Sequence, residues 1–228
     1  MNRRQIYRDR REAGLVLAEH LKHAPVGHDP IVLALPRGGV PVAAEVAGAL
    51  HAPLDVFLVR KLGLPGHEEL AMGAIASGGV RVLHDEVIAE AGVSAAAVAQ
   101  ATEREARELR RREDHYRAGR PAPRLVDAVV IVVDDGLATG FSMRAAIRAL
   151  RQLRVARLTV AVPVGAPESC AVIADEADLL VCPRQPEMFR AVGQWYERFD
   201  QVSDAEVMEG LRSAAEPPTA SAGRSTFR

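Results

Sequence analysis

The chain has only two cysteines, Cys170 and Cys182, too few for a disulfide framework, and it lacks any cysteine-histidine spacing of the zinc type. It also lacks an apolar run of membrane length and a signal-like start, so a reducing cytoplasm is the expected compartment and no membrane partner is expected. Excess charge of one sign is missing too. With 29 basic and 30 acidic residues the formal net charge is -1, and no global positive field draws the protein to nucleic acid. The absence of Gly-Lys-Ser/Thr removes a Walker A loop, and the absence of Gly-x-Gly-x-x-Gly removes the dinucleotide-binding turn. There is no repeat at solenoid spacing. What remains is 228 residues, 48% hydrophobic and 26% charged, enough for one generous α/β domain whose partners are a small molecule or another subunit.

Within that domain one stretch stands out: Val129-Val130-Ile131-Val132-Val133-Asp134-Asp135-Gly136-Leu137-Ala138-Thr139-Gly140-Phe141-Ser142-Met143. An unbroken β-branched run suits a parallel strand buried on both faces, because a half-exposed strand would alternate. It ends in two carboxylates, then a loop bracketed by Gly136 and Gly140, then a helical run from Met143 to Leu150. Ligands of open α/β sheets bind at such carboxyl ends. Residues Gly136 to Ser142 offer backbone N–H groups, two small hydroxyls and a helix N-terminus, a cradle for a phosphate. Asp134 and Asp135 would repel a phosphate but accept hydrogen bonds from hydroxyls, or hold a divalent ion through its waters. A ligand satisfying both halves carries a phosphate a few ångströms from a diol, as ribose 5-phosphate does.

The rest of the chain reads as support. An amphipathic helix is predicted over residues 3–22, from Ile6, Ala13, Leu17 and Leu21. Ile31 to Leu35 is a second buried strand running into Pro36-Arg37-Gly38-Gly39-Val40-Pro41, after which Pro41 opens a helix reaching His51. Glycines let a backbone approach an anion and arginine binds one bidentately, so Arg37-Gly38-Gly39 is a second candidate loop. Leu54 to Val59 is a third strand, with Arg60 and Lys61 at its carboxyl end. Ala71 to Ile75 and Val80 to Leu83 suggest a hairpin or a loop feeding a short strand. A short helix from Glu86 to Ala91 stops at Gly92, and Ser94 caps a long one reaching about Arg117. That long helix interleaves arginine and glutamate, which argues for a solvated face and against a nucleic-acid stripe. Strands at Leu158 to Val162 and Leu179 to Cys182 flank a helix and complete a β-α alternation. It implies a parallel sheet of five or six strands with helices on both faces, in one domain carrying an inserted loop and helical segment. The aromatics from Phe189 to Phe199 either anchor a terminal segment or, through Trp195 and Tyr196, stack on a base. Residues 1–212 are read as the domain and 213–228 as a disordered tail.

Val-Val-Asp-Asp-Gly-Leu-Ala-Thr-Gly-Phe-Ser resembles the phosphoribosyl-pyrophosphate signature of type I phosphoribosyltransferases, with Gly136 where an apolar residue is common. Leu-Pro-Arg-Gly-Gly-Val-Pro-Val and Val-Arg-Lys-Leu-Gly add a resemblance to a phosphoribosyltransferase-like group. The likeness covers most of residues 31–182. It implies a parallel-sheet phosphoribosyltransferase fold and transfer of 5-phosphoribosyl from phosphoribosyl pyrophosphate to a nucleobase, amine or other acceptor. A nucleotide-sensing regulator that binds without turnover is the alternative on the same fold. By this resemblance Gly136, Leu137, Ala138, Thr139, Gly140, Phe141 and Ser142 hold the 5-phosphate, and Asp134 and Asp135 hold the ribose hydroxyls. Arg37, Gly38, Gly39, Arg60 and Lys61 face pyrophosphate, and Mg²⁺ comes bound with the ligand. Asp134, Asp135 and Lys61 are the residues implied in catalysis. A non-proline cis bond at Pro36-Arg37 and a mobile lid over residues 62–77 are expected by the same analogy. The motifs do not name an acceptor or a general base, and a homodimer stays open.

Overall fold

The apolar run that dominates the sequence forms the middle strand of the molecule. The computed structural model describes residues 6–215. In chain order the elements are α1 (Arg10–Lys22), β1 (Ile31–Ala34), α2 (Gly39–Leu50), β2 (Leu54–Val56), β3 (Val59–Leu64), β4 (His67–Ala76), β5 (Val80–Leu83), α3 (Asp85–Glu90) and α4 (Ala95–Arg117). They continue with β6 (Val129–Val133), α5 (Phe141–Gln152), β7 (Arg157–Ala161), α6 (Pro167–Glu176), β8 (Leu179–Val181) and α7 (Asp204–Ala215). Five strands make a parallel sheet in the order β2-β1-β6-β7-β8, with β6 central.

Both faces of β6 are covered, which is why its sequence does not alternate. Ile131 and Val133 pack with Val32 and Ala34 into a core shared with α1, α2 and α7. Val130 and Val132 pack with Leu33, Leu158 and Val160 into a second core built on α5 and α6. The four β6 residues Val130 to Val133 are fully buried. By area bookkeeping each such side chain is worth about 1.5–3 kcal/mol relative to exposure. The strand is therefore fixed from both sides, and its carboxyl end is a rigid platform.

Helix boundaries follow their caps. Asp9 starts α1 by accepting the Glu12 N–H at 3.0 Å, and Ser94 starts α4 by accepting the Ala97 N–H at 3.2 Å. The predicted first helix thus begins at Arg10. Residues 3–5 lie outside the described residues, and Tyr7 instead bridges to Tyr196. Gly14 lets α1 lie close on α2, since a Cβ there would stand 2.8 Å from the Val42 carbonyl oxygen. The charged face of α4 is laced with pairs such as Arg111–Glu108 and Arg112–Glu108, both at 2.8 Å, as expected of a solvated surface.

One strand assignment needs correction. Leu54 to Val59 is not a single strand: β2 ends at Val56, and Arg60 and Lys61 lie inside β3, the first strand of a separate antiparallel sheet β3-β4-β5. Alternating side chains on β3 then turn Arg60 toward α4 and leave Lys61 exposed. The segment expected to be irregular because of its glycines is mostly strand. Gly63 sits at a register shift, where a Cβ would meet the Glu68 backbone oxygen at 2.7 Å, and Gly73 is paired inside β4. The final helix takes in residues 213–215 of the expected tail, and residues 216–228 lie outside the described residues. Among the described residues no helix is long and apolar enough to cross a membrane.

The long helix is tied to the sheet by a largely buried cluster. Arg117 donates through Nε to Asp55 Oδ2 at 2.9 Å and lies 3.4 Å from Glu113 Oε1, with all three side chains only 11–13% exposed. Removing the cation leaves two carboxylates without compensation. Arg117→Ala should lower the unfolding free energy by about 3 kcal/mol, measured by urea melts. Arg111→Ala, on the open face of the same helix, should leave the midpoint unchanged. Equal effects from the two would contradict this account of how α4 is held.

Candidate functional site

Where β6 ends, Asp134 and Asp135 emerge beside the loop that follows β1. The two loops touch closely. A Cβ on Gly38 would lie 2.1 Å from Asp135 Oδ2, and one on Gly39 would lie 2.7 Å from the Val133 carbonyl oxygen. Neither glycine has a left-handed φ, so proximity to the acids, not backbone conformation, demands them. The Pro36–Arg37 peptide is cis, as the analogy led us to expect. Arg37, Gly38 and Asp135 line a cavity of about 370 Å³ together with Arg10, Phe199, Gln201 and Val202.

The acid pair is asymmetric. Asp134 Oδ1 accepts the Asp135 N–H at 2.8 Å, while Asp135 Oδ2 accepts from Arg10 Nε at 2.8 Å, with both side chains of that ion pair nearly buried. Burial pushes both carboxyls above the usual aspartate range. For Asp134 the charge on Asp135 adds to the push, whereas Arg10 opposes it at Asp135. The two carboxyls titrate as a pair, and the ion pair with Arg10 favours the charged form at Asp135. The Tyr196 hydroxyl donates to the Asp135 carbonyl at 2.5 Å and further fixes the turn.

Beyond the acids the loop offers the predicted cradle. Among the described residues the N–H groups of Ala138, Thr139 and Gly140 donate to no protein acceptor, and those of the first turn of α5 are open as in any helix N-terminus. Gly140 precedes α5 at φ 72°, a left-handed conformation that suits glycine. Leu137 serves the loop differently from its neighbours: its side chain is buried in the core, and its backbone pairs with Val164 and Ala166. Ser169 of α6 donates to the Ala138 carbonyl and ties the loop to the next helix. Thr139 and Phe141 face a separate cavity of about 320 Å³ with His84, Arg144 and Arg148.

Of the residues predicted for the site, Asp135 lines the cavity with Arg37 and Gly38, Gly39 lies against Asp134, Leu137 is in the core, and Thr139 and Phe141 line the separate cavity. Arg60 and Lys61 do not line the Asp135 cavity. Arg60 is paired with Glu105 of α4 at 2.6 Å, and the Lys61 ammonium donates to the Glu69 carbonyl at 2.9 Å on its own hairpin. Sequence reading missed Arg10 and Gln201, and it took Tyr196 and Phe199 only as members of an aromatic cluster without tying them to the acid pair. Arg10 looked like any cation on the polar face of an amphipathic helix, and its partner is 125 residues away. It also underestimated Gly136, whose missing Cβ makes room for Val192, 2.5 Å from where that atom would stand. Trp195 is buried beside Phe189 and Tyr7, so the aromatic group anchors the C-terminal segment.

The chain has relatives among known proteins. The family described as phosphoribosyl transferase domain matches residues 11–194. A Mycobacterium tuberculosis (H37Rv) protein carrying the name "Putative phosphoribosyl transferase" is 44% identical over 210 residues, covering 92% of this chain and 47% of its own. The chain thus spans about half the length (47%) of the curated relatives it matches. A crystal structure from Thermus thermophilus superposes with a TM-score of 0.81 at 42% identity, covering 92% of this chain and all of that one.

Charge at the acid pair has a consequence for stability. A carboxyl whose pKa is raised on folding stabilises the protein below its unfolded value and loses that contribution as pH rises toward the folded value. Asp134→Asn keeps the acceptor for the Asp135 N–H and removes the titrating carboxyl. It should be at least as stable as the wild type at neutral pH and should flatten the stability profile above about pH 4, followed by denaturant midpoints at each pH. A variant less stable at neutral pH with the wild-type slope would contradict the upward shift at Asp134.

Proposed function

The chain belongs to the phosphoribosyl transferase domain family, and from that premise we propose that it binds phosphoribosyl pyrophosphate and transfers its 5-phosphoribosyl group to a nucleobase or amine. The observation that carries this reading is the acid pair set between two different anion-binding features, the open N–H groups of 138–140 and the guanidinium of Arg37. A ligand with a diol between two phosphate groups matches that order. The 5-phosphate would lie in the cradle of Gly136 to Ser142, the ribose hydroxyls against Asp134 and Asp135, and the pyrophosphate toward Arg37 with Gly38 and Gly39.

In the reaction the bond from the anomeric carbon to pyrophosphate breaks and one from that carbon to the acceptor forms, while the acceptor gives up a proton to a base not identified among these residues. Positive charge develops on the ribose as the bond breaks. The carboxyl pair, with Asp135 held by Arg10, would offset it, and the guanidinium of Arg37 would take up negative charge on the departing group. Among the described residues no three His, Cys, Asp or Glu side chains are grouped to hold a metal ion. The two aspartates do fit Mg²⁺ held by its waters and carried in with the ligand. Bound that way, it would neutralise the pyrophosphate.

A second reading has a specific observation in its favour. Arg60 and Lys61 are engaged away from the acid pair, which suits a sensor that binds the ligand without releasing pyrophosphate. Incubating the protein with phosphoribosyl pyrophosphate, Mg²⁺ and pools of nucleobases and amines separates the two. Acceptor-dependent pyrophosphate release is expected from the enzyme, whereas binding with no release in any pool would favour the sensor. An Asp134→Asn, Asp135→Asn double variant should fold, yet lose both that release and its calorimetric affinity for ribose 5-phosphate. A folded double variant with wild-type affinity would move the site elsewhere.

A further inference from the structure

The pyrophosphate end of the proposed site is short of cations. Arg37 is the sole residue of the predicted cationic set at the Asp135 cavity, and its Nη1 is already 3.7 Å from Asp204 Oδ1. A polyanion entering this cavity passes the Asp135 carboxyl and gains from each cation that lines the walls, where the low dielectric strengthens the contact.

We infer that Arg10, from the N-terminal helix, is a second pyrophosphate-binding cation of this site, acting with Arg37 across the cavity. Arg10 is held for that task from three sides. Its Nε donates to Asp135 Oδ2 at 2.8 Å, its Nη1 donates to the Asp200 carbonyl at 2.8 Å, and its guanidinium lies 3.9 Å from the centre of the Phe199 ring. These contacts leave Nη2 with no partner among the described residues, on a side chain that lines the same cavity as Arg37, Gly38 and Gln201. A fork fixed at two of its nitrogens and stacked on an aromatic face loses little rotamer freedom when the third binds an anion. The ion pair with Asp135 need not break. Arg10 stands between the carboxylate and the incoming phosphates, so the same group screens the ribose acid and contacts the leaving group. Lysine offers no such arrangement, because a single ammonium cannot bridge Asp135, Asp200 and a third acceptor at fixed angles.

The inference rests on the phosphoribosyl reading, and its test keeps the two apart. Calorimetry on the full chain with Mg²⁺-pyrophosphate and, separately, ribose 5-phosphate is compared for the wild type, Arg10→Gln and Arg10→Lys, with melting temperatures recorded. Arg10→Gln should weaken pyrophosphate at least about tenfold, the loss of one charge-assisted contact, while ribose 5-phosphate stays within about threefold. Arg10→Lys should recover part of the pyrophosphate affinity through its charge. If Arg10 only fastens α1 to the site, both ligands weaken together as the melting temperature falls, and the inference is overturned. It is equally overturned if pyrophosphate binds the variants as it binds the wild type. A wild-type protein that binds neither ligand would instead remove the phosphoribosyl reading itself, and this inference with it.

Discussion

Two adjacent carboxylates at the end of a wholly apolar strand impose the constraint around which this molecule is arranged. The strand cannot move, because both its faces are packed, and the acids cannot both be ionised in a partly buried mouth without a counter-charge. Three separate parts of the chain answer that demand. Helix α1 brings Arg10 to Asp135, the turn after β1 presses Gly38 and Gly39 against the same acids, and the segment around Tyr196 and Phe199 fixes the turn and the guanidinium from the far side. Tyr7 and Tyr196 also pair, and their rings lie 5.7 Å apart.

This arrangement separates two chemistries within a short distance. The open N–H groups of the loop before α5 favour an anion, whereas the acid pair favours hydroxyls. The side chains that set the balance come from elements far apart in sequence. Recognition of a phosphorylated sugar needs both at once, and neither feature alone would distinguish such a ligand from a free phosphate or a free sugar. The loop itself is held rigid by Leu137 in the core and by Ser169 from α6, so the site is built on fixed elements and not on a surface turn.

What could be read in the sequence was what is local. The buried strand at Val129 to Val133, the acids after it, the loop Arg37-Gly38-Gly39, the Ser94 cap and the solvated face of α4 each carry their own signal within a few residues, and each is found where it was expected. The misreading at Arg60 and Lys61 was also local in origin. Six apolar-rich residues looked like one strand, although β2 ends after three and the chain then turns into a second sheet. The contribution of Arg10 was not legible, because a cation on an amphipathic helix looks the same whether it meets water or an acid 125 residues away. The packing at Gly136 was not legible for the same reason: the side chain it makes room for belongs to Val192.

The central claim is that one ligand spans the loops after β1 and β6 together with Arg10 and the Phe199–Val202 segment. Backbone hydrogen exchange with and without phosphoribosyl pyrophosphate and Mg²⁺ tests it most directly. Protection is expected in residues 36–40 and 134–143 together, with a further change in the first turn of α1 and in residues 199–202, and none in the outer face of α4. Protection confined to one loop, or centred instead on His84, Arg144 and Arg148, would contradict it.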